Sequence, residues 1–203
     1  MPDLSRIQFC GLTSLSTDAL ASLSRRSQLP FSIDQKASGR GYTVFEAFLT
    51  IVAQEFSDGH GVSITRAAEI AGALPEALAP KWDRIVETGL ALADGTGEKV
   101  EEIMCGRYYV AGINPPRPLA GTDLEISQEL AALDKPLIRS IRSSASRSLV
   151  LLINRANRLN IEIPDDFWTA PFSYRQRPNG WDLARASMQK LIDQGMHLED
   201  TEE

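Results

Sequence analysis

Apolar residues recur at helical spacing along most of the chain, which predicts a mainly α-helical protein. The clearest stripe lies between Thr43 and Phe56, where seven large apolar residues cover a broad helix face that we expect to lie in the core. A shorter helix is predicted between Ser16 or Thr17, either of which can cap it, and Pro30, which closes it off. Another follows Ser63.

The pattern changes in the second half of the chain. Residues 101–110 are rich in β-forming residues and predict one strand of a hairpin. Residues 112–121 contain three prolines and two glycines, which predicts an irregular linker. Pro80 is expected to break or restart the helix in which it lies. Helices are predicted at residues 75–93, 124–134, 137–160 and 181–194.

One stretch points to a chemistry. Two cations, Arg25 and Arg26, end the short helix after Ser16, and a basic Gly-rich loop at 35–41 leads to Tyr42. A helix that enters the major groove of DNA needs small or polar side chains facing the bases and arginines for phosphate or guanine. Basic residues on a flexible loop can reach the neighbouring backbone or the minor groove. The alternative is an amphipathic surface helix followed by a basic loop.

This segment resembles the DNA-binding domain of MerR-type regulators. In that family a short first helix, here residues 3–11, precedes a recognition helix with a basic pair and a Leu-Pro, a basic Gly-containing wing, an aromatic and a long helix. The resemblance covers residues 3–72. The chain lacks the family's long coiled-coil helix and C-terminal metal or drug site, so regulation by metal or drug is not implied. The matching positions are Ser16, Asp18, Leu20, Arg25, Arg26, Leu29, Pro30, Lys36, Gly39, Arg40, Gly41, Tyr42 and Thr43.

The resemblance implies a winged helix-turn-helix domain with a short β wing at residues 1–74. We expect connecting helices and a β hairpin at 75–111 and a largely helical C-terminal region at 122–203, with a possible role in dimerisation. The implied function is sequence-specific binding of double-stranded DNA by a transcriptional regulator that acts as a homodimer, with RNA polymerase as a further candidate partner. The predicted DNA-binding residues are Ser16, Thr17, Ser22, Arg25, Arg26, Lys36, Arg40 and Tyr42.

A second basic patch is predicted from five arginines, which either bind phosphates or pair with carboxylates of the acidic segment 76–135. Within it Arg139 and Arg142 are expected to share a helix face, as are Arg155 and Arg158. The apolar residues 149–153 between them are interpreted as core or as a dimer seam. A second helix pair at 64–82, with small residues at Ala68 and Gly72, is interpreted mainly as structural packing. The five arginines are Arg139, Arg142, Arg147, Arg155 and Arg158.

Composition and charge exclude several classes of function. The formal net charge of −6 argues against indiscriminate nucleic-acid binding, but it allows a localised basic face. No apolar run is long enough to span a membrane and the N-terminus lacks a secretory signal, so we expect a cytoplasmic protein. Two cysteines and two histidines at unsuitable spacing predict no metal, and no motif predicts a cofactor or an enzyme. Two functions remain as alternatives to DNA binding. One is a protein-interaction or assembly module, and the other is a small enzyme with a site near Asp58, His60 and Arg107.

Overall fold

Polar side chains cap the first four helices of the chain. The computed structural model describes residues 4–31, 41–96, 100–114, 116–169 and 171–173. The hydroxyls of Ser5, Ser16, Thr43 and Ser63 each accept a hydrogen bond from a backbone N–H in the first turn that follows. The helices so capped are α1 Arg6–Thr13, α2 Thr17–Arg25, α3 Val44–Gln54 and α4 Ile64–Gly72. Helix α3 continues directly into a π-helical turn, Glu55–Gly59.

The second half adds a small sheet to further helices. Pro80 lies in a 3-10 turn, Ala79–Lys81, which separates two helices as the sequence predicts. Beyond α9 the chain makes one more 3-10 turn, Pro171–Ser173. The remaining elements are α5 Pro75–Leu78, α6 Trp82–Ala93, β1 Met104–Val110, β2 Arg117–Gly121, α7 Asp123–Ala131, β3 Leu137–Ser144, α8 Ala145–Leu159 and α9 Asp165–Thr169.

The three strands form an antiparallel sheet in the order β2–β1–β3, with β1 in the centre. Side chains alternate between its two faces. One face carries Tyr108 and Leu119, which pack with Ile126 of α7 in a small apolar cluster. The opposite face, which we call the bundle face, carries Cys105 and Ile141 and joins the main core. The sheet therefore lies between α7 on one side and the helices of the main core on the other.

The main core is built on α3, α6 and α8. Nine of the eleven residues of α3 are buried, as its wide apolar stripe predicts. Trp82 begins α6 at 2% exposure, and its indole N–H donates to the carbonyl oxygen of Phe167 at 3.1 Å. The core contains residues from Leu4 to Phe167. Residues from all three predicted segments, 1–74, 75–111 and 122–203, therefore pack in one core.

Two predictions for the second half are wrong. Residues 117–121, part of the predicted linker, form strand β2, and Pro118 is tolerated there because β2 is an edge strand of the sheet. Residues 137–144, predicted as the start of a helix, form strand β3, since they pair with β1 along its whole length. The predicted hairpin is thus part of a three-stranded sheet, and the predicted helix begins only after Ser144.

The apolar face of α8 is core. Leu149, Leu152 and Ile153 are buried against the other helices. They are therefore not exposed for a dimer contact, which was the alternative interpretation of residues 149–153. Leu159, at the end of the helix, is 43% exposed. The predicted helix at 181–194 lies outside the described residues, as does all but Gly41 of the predicted wing loop.

Glu125 ties α7 to the start of α6. Its carboxylate lies 3.0 Å from Lys81 Nζ and 2.7 Å from Arg84 Nη1, and it also accepts the backbone N–H of Thr122. The Thr122 N–H and the two cations lower the pKa of Glu125 to about 2.

Because the folded pKa of Glu125 lies below its value of about 4.3 in an unfolded chain, its stabilising effect is complete above that value and lost as the pH falls toward 2. We expect Glu125→Gln to lower the free energy of unfolding near neutral pH and to flatten its acid dependence between about pH 5 and pH 2. Urea titrations across that range measure both effects. An unchanged acid dependence in the variant would contradict the assignment.

Candidate nucleic-acid interface

The first two helices are joined by a three-residue turn. Helix α1 ends at Ser14, which adopts a left-handed conformation (φ 56°), and Ser16 then caps α2. Between them Leu15 packs against the core. Arg6 Nη2 donates to the carbonyl oxygen of Thr17 at 2.6 Å and so links the start of α1 to the start of α2. Two short helices are thereby held at a fixed turn, with α2 at the surface.

Helix α2 is amphipathic. Leu20 is 1% exposed and Leu23 packs against the core, so this side faces inward. At 100° per residue, Asp18, Ser22 and Arg25 fall on the opposite side. Asp18 in the first turn and Arg25 in the last both suit the helix dipole. The outward side is therefore short, polar and basic at its C-terminal end.

The basic pair lies at the end of α2. Arg25 and Arg26 are both exposed, and the Arg25 Nε donates to the carbonyl of Ala21 at 3.4 Å. Ser27 then turns the chain with φ 53°, and Leu29 and Pro30 are buried. The predicted residues of this helix and its cap thus lie on one surface element, where Ser22 is half-buried and the other four are exposed. They are Ser16, Thr17, Ser22, Arg25 and Arg26.

Tyr42 is held against α1 by an aromatic cluster. Its ring stacks on Phe9 of α1 with centroids 4.3 Å apart, and its backbone pairs with Leu4. Phe31 packs edge-on against both Phe9 and Tyr42, at 5.9 Å and 6.3 Å. The two ends of the segment 32–40 are therefore held together against α1. Lys36 and Arg40 belong to that segment and lie outside the described residues.

The second predicted helix pair supports the first. The Gln28 side chain, just after the basic pair, donates to the hydroxyl of Thr65 in α4 at 2.8 Å. At Gly72, at the end of α4, an added Cβ would lie 2.9 Å from the carbonyl oxygen of Pro30. Helix α5 that follows is a single turn. The structure thus places Gly72 where α4 packs on the segment after α2.

The five arginines of the second patch do not form one helix face. Arg139 and Arg142 lie on strand β3, which corrects the prediction that they share a helix face. Arg142 pairs with Asp123 at 3.0 Å and Arg147 with Glu102 at 2.8 Å. The Arg155 Nη1 donates to the carbonyl of Leu12 at 2.9 Å. Ion pairing with the acidic segment, the alternative interpretation, is found for Arg142 and Arg147.

The residues of the enzyme alternative lie on separate elements. Asp58 belongs to the π-helical turn and His60 follows it, both exposed, whereas Arg107 lies in the central strand β1. A pocket of about 200 Å³ lies between α2, α3 and α4, with Leu15, Leu23 and Asp58 in its wall. Most of its lining is apolar.

Two contacts in this region were not predicted from the sequence. Arg6 lies in the segment predicted as the first helix, yet its hydrogen bond to α2 is formed across the turn. Arg66, one residue after Thr65, donates through Nε to the Tyr109 hydroxyl at 3.1 Å and connects α4 with the sheet. Neither contact has a local sequence signature, because each joins residues from different elements.

Within the described ranges, no helix has both the length and the apolar character that a membrane crossing requires. Across the same residues, no three His, Cys, Asp or Glu side chains group closely enough to hold a metal ion. The chain matches no protein-family model, no curated protein and no solved structure.

Proposed function

We propose that the protein is a sequence-specific, double-stranded DNA-binding regulator with a MerR-like winged helix-turn-helix at its N-terminus, acting as a homodimer. The observation that carries the proposal is α2: an exposed helix, fixed by a three-residue turn, with Ser22 and Arg25 on its outward side and Arg26 at its end. These are the side-chain types that contact base edges and phosphates in the major groove.

The anchoring of the segment 32–40 supports a wing. Because Phe31 and Tyr42 pack together on Phe9 of α1, this segment leaves and rejoins the fold beside the helix pair. Its two cations, Lys36 and Arg40, are of the residue type that contacts the DNA backbone beside a major-groove helix. Arg6 links α1 to α2, and Tyr42 packs on α1.

The proposal is tested by Arg25→Ala combined with Arg26→Ala. Both side chains are exposed, so the variant is expected to fold normally. We expect its affinity for a duplex selected from genomic fragments to fall at least tenfold at about 0.1 M salt. The slope of log K against log salt is expected to drop by about two, one unit for each lost phosphate contact. Fluorescence anisotropy at several salt concentrations measures both quantities.

Arg117→Ala combined with Lys135→Ala is the matched control, because it removes two exposed cations that lie outside α2 and outside the second basic patch. Its DNA affinity is expected to stay near that of the wild type. Equal affinity of the Arg25/Arg26 variant and the wild type would refute the role of α2. No detectable binding of the wild type to random duplex at about 50 mM salt would refute DNA binding altogether.

A protein-interaction role is the second candidate, and one observation favours it. Strand β3 lies at the sheet edge, and at its start Leu137 and Ile138 are 40% and 70% exposed. Exposed apolar side chains on an edge strand are typical of a contact with another chain. The same edge is available for the homodimer, which sedimentation of the wild type and of Ile138→Lys tests directly.

A further inference from the structure

Two guanidinium groups meet where α4 packs on the sheet. The Arg66 Nε donates to the Tyr109 hydroxyl, and its guanidinium carbon lies 5.4 Å from the centre of the Tyr109 ring. Arg107, two residues before Tyr109 in β1, points to the same bundle face of the sheet. Burial, followed by the positive charge of Arg66, lowers the pKa of Arg107. Because Arg66 contacts Tyr109 and Arg107 neighbours Tyr109 on this face, the two cations lie near each other.

The hydrogen-bond donors of the Arg107 side chain are only partly satisfied. Its side chain is half-buried, and its Nε is fully shielded from solvent without a hydrogen-bond partner among the described residues. A shielded guanidinium N–H that donates to nothing is costly, and a second cation nearby adds to that cost. An anion placed beside this N–H would satisfy it.

The charges around this position are unbalanced. Glu69 is the nearby carboxylate, and its Oε2 is held by Arg66 Nη1 at 2.6 Å. Arg139 lies opposite Tyr109 in the register of β1 with β3, so the alternation of side chains places it on the same face. Of these four side chains three are cationic and one is anionic, so their summed formal charge is +2.

We propose that Arg66 and Arg107, with Arg139 at the rim, bind the phosphate group of a small-molecule ligand. A phosphate monoester carries a charge of about −1.5 to −2 at pH 7 and three strong acceptor oxygens, which matches the net charge and the donors present. Guanidinium groups bind such oxygens bidentately. The half-buried position of Arg107, between a helix and a sheet, suits a compact terminal phosphate better than the backbone of a duplex. This site is separate from the outward side of α2 and does not depend on the proposed function.

The experiment measures thermal unfolding with inorganic phosphate and with glycerol phosphate, each at constant ionic strength set by sodium chloride. We expect both probes to raise the Tm of the full-length wild type, glycerol phosphate at the lower concentration. Arg107→Gln is expected to weaken the response at least tenfold in probe concentration. Arg117→Gln, which removes an exposed arginine of β2 on the opposite face of the sheet, is expected to respond like the wild type.

A purely structural role for Arg107 is distinguished by the Tm without phosphate. We expect Arg107→Gln to be at least as stable as the wild type there, because the substitution removes a shielded, repelled cation. Arg66→Gln provides a second test of the phosphate response from the α4 side.

Equal phosphate responses in the wild type, Arg107→Gln and Arg66→Gln would overturn the proposal. So would a response to duplex DNA alone that requires Arg107, since it would assign the cluster to a nucleic-acid backbone.

Discussion

Trp82→Ala is expected to lower the free energy of unfolding by about 3–5 kcal/mol, the usual cost of removing a large buried aromatic side chain. The Trp82 ring contacts Phe45, Phe48, Phe167 and Phe172, with centroids 5.3–5.6 Å apart and rings close to perpendicular. These contacts join α3 and α6 to the segment around α9, so a cavity here weakens several elements together. Urea denaturation followed by circular dichroism measures the loss.

Trp82→Phe separates ring packing from the hydrogen bond. It retains much of the aromatic volume but removes the indole N–H, leaving the carbonyl of Phe167 without that donor. We expect a smaller loss for this variant than for Trp82→Ala. A loss below about 1 kcal/mol for Trp82→Ala would contradict the central place of this ring in the core.

Gly106→Ala is expected to destabilise the protein by about 3 kcal/mol. Gly106 lies in the middle of β1, and an added Cβ would overlap the carbonyl oxygen of Ile141 and lie 2.7 Å from the Cα of Arg142. Both neighbours are backbone atoms of β3, so no side-chain rotation relieves the contact. The strands would have to separate or shift in register. Thermal and urea unfolding measure the destabilisation.

Gly59→Ala is the matched control. Gly59 ends the π-helical turn, is exposed, and has no atom within 4 Å of an added Cβ. We expect its stability to change by less than about 0.5 kcal/mol. If Gly106→Ala behaved like this control, the close approach of β1 and β3 would be wrong.

Helices α2, α3 and α4 were predictable because the sequence signals for each lie within the helix or directly before it. Ser16, Thr43 and Ser63 each precede a helical apolar pattern and each caps the helix that follows. Pro80 breaks its helix for a reason that also lies within a few residues, the missing N–H and the clash of its ring. Where capping and periodicity agree, the sequence is sufficient.

The sheet was harder because its strands depend on a partner distant in the chain. Strand β3 carries arginines, serines and two isoleucines, a mixture that fits a helix as well as a strand. Pairing with β1, some 30 residues away, decides the outcome. Strand β2 contains a proline that argues against a central strand and is accommodated at an edge. Tertiary context therefore overrides local preference at both strands.

The two candidate sites differ in the same respect: one has a local sequence signal and the other does not. Arg25 and Arg26 could be proposed as site residues from the sequence, because they end a helix with a recognisable cap and a Leu-Pro after it. Arg66 and Arg107 have no such signature, because 41 positions separate them and only the packing of α4 on β1 brings them together. A charge cluster assembled from two elements is visible only after the chain has folded.

The three rings of Phe9, Phe31 and Tyr42 each contact the other two. A substitution at any one of these positions therefore removes an aromatic neighbour from both of the others. Because residues that share partners couple energetically, we expect the three positions to change together, rather than singly, as the sequence evolves.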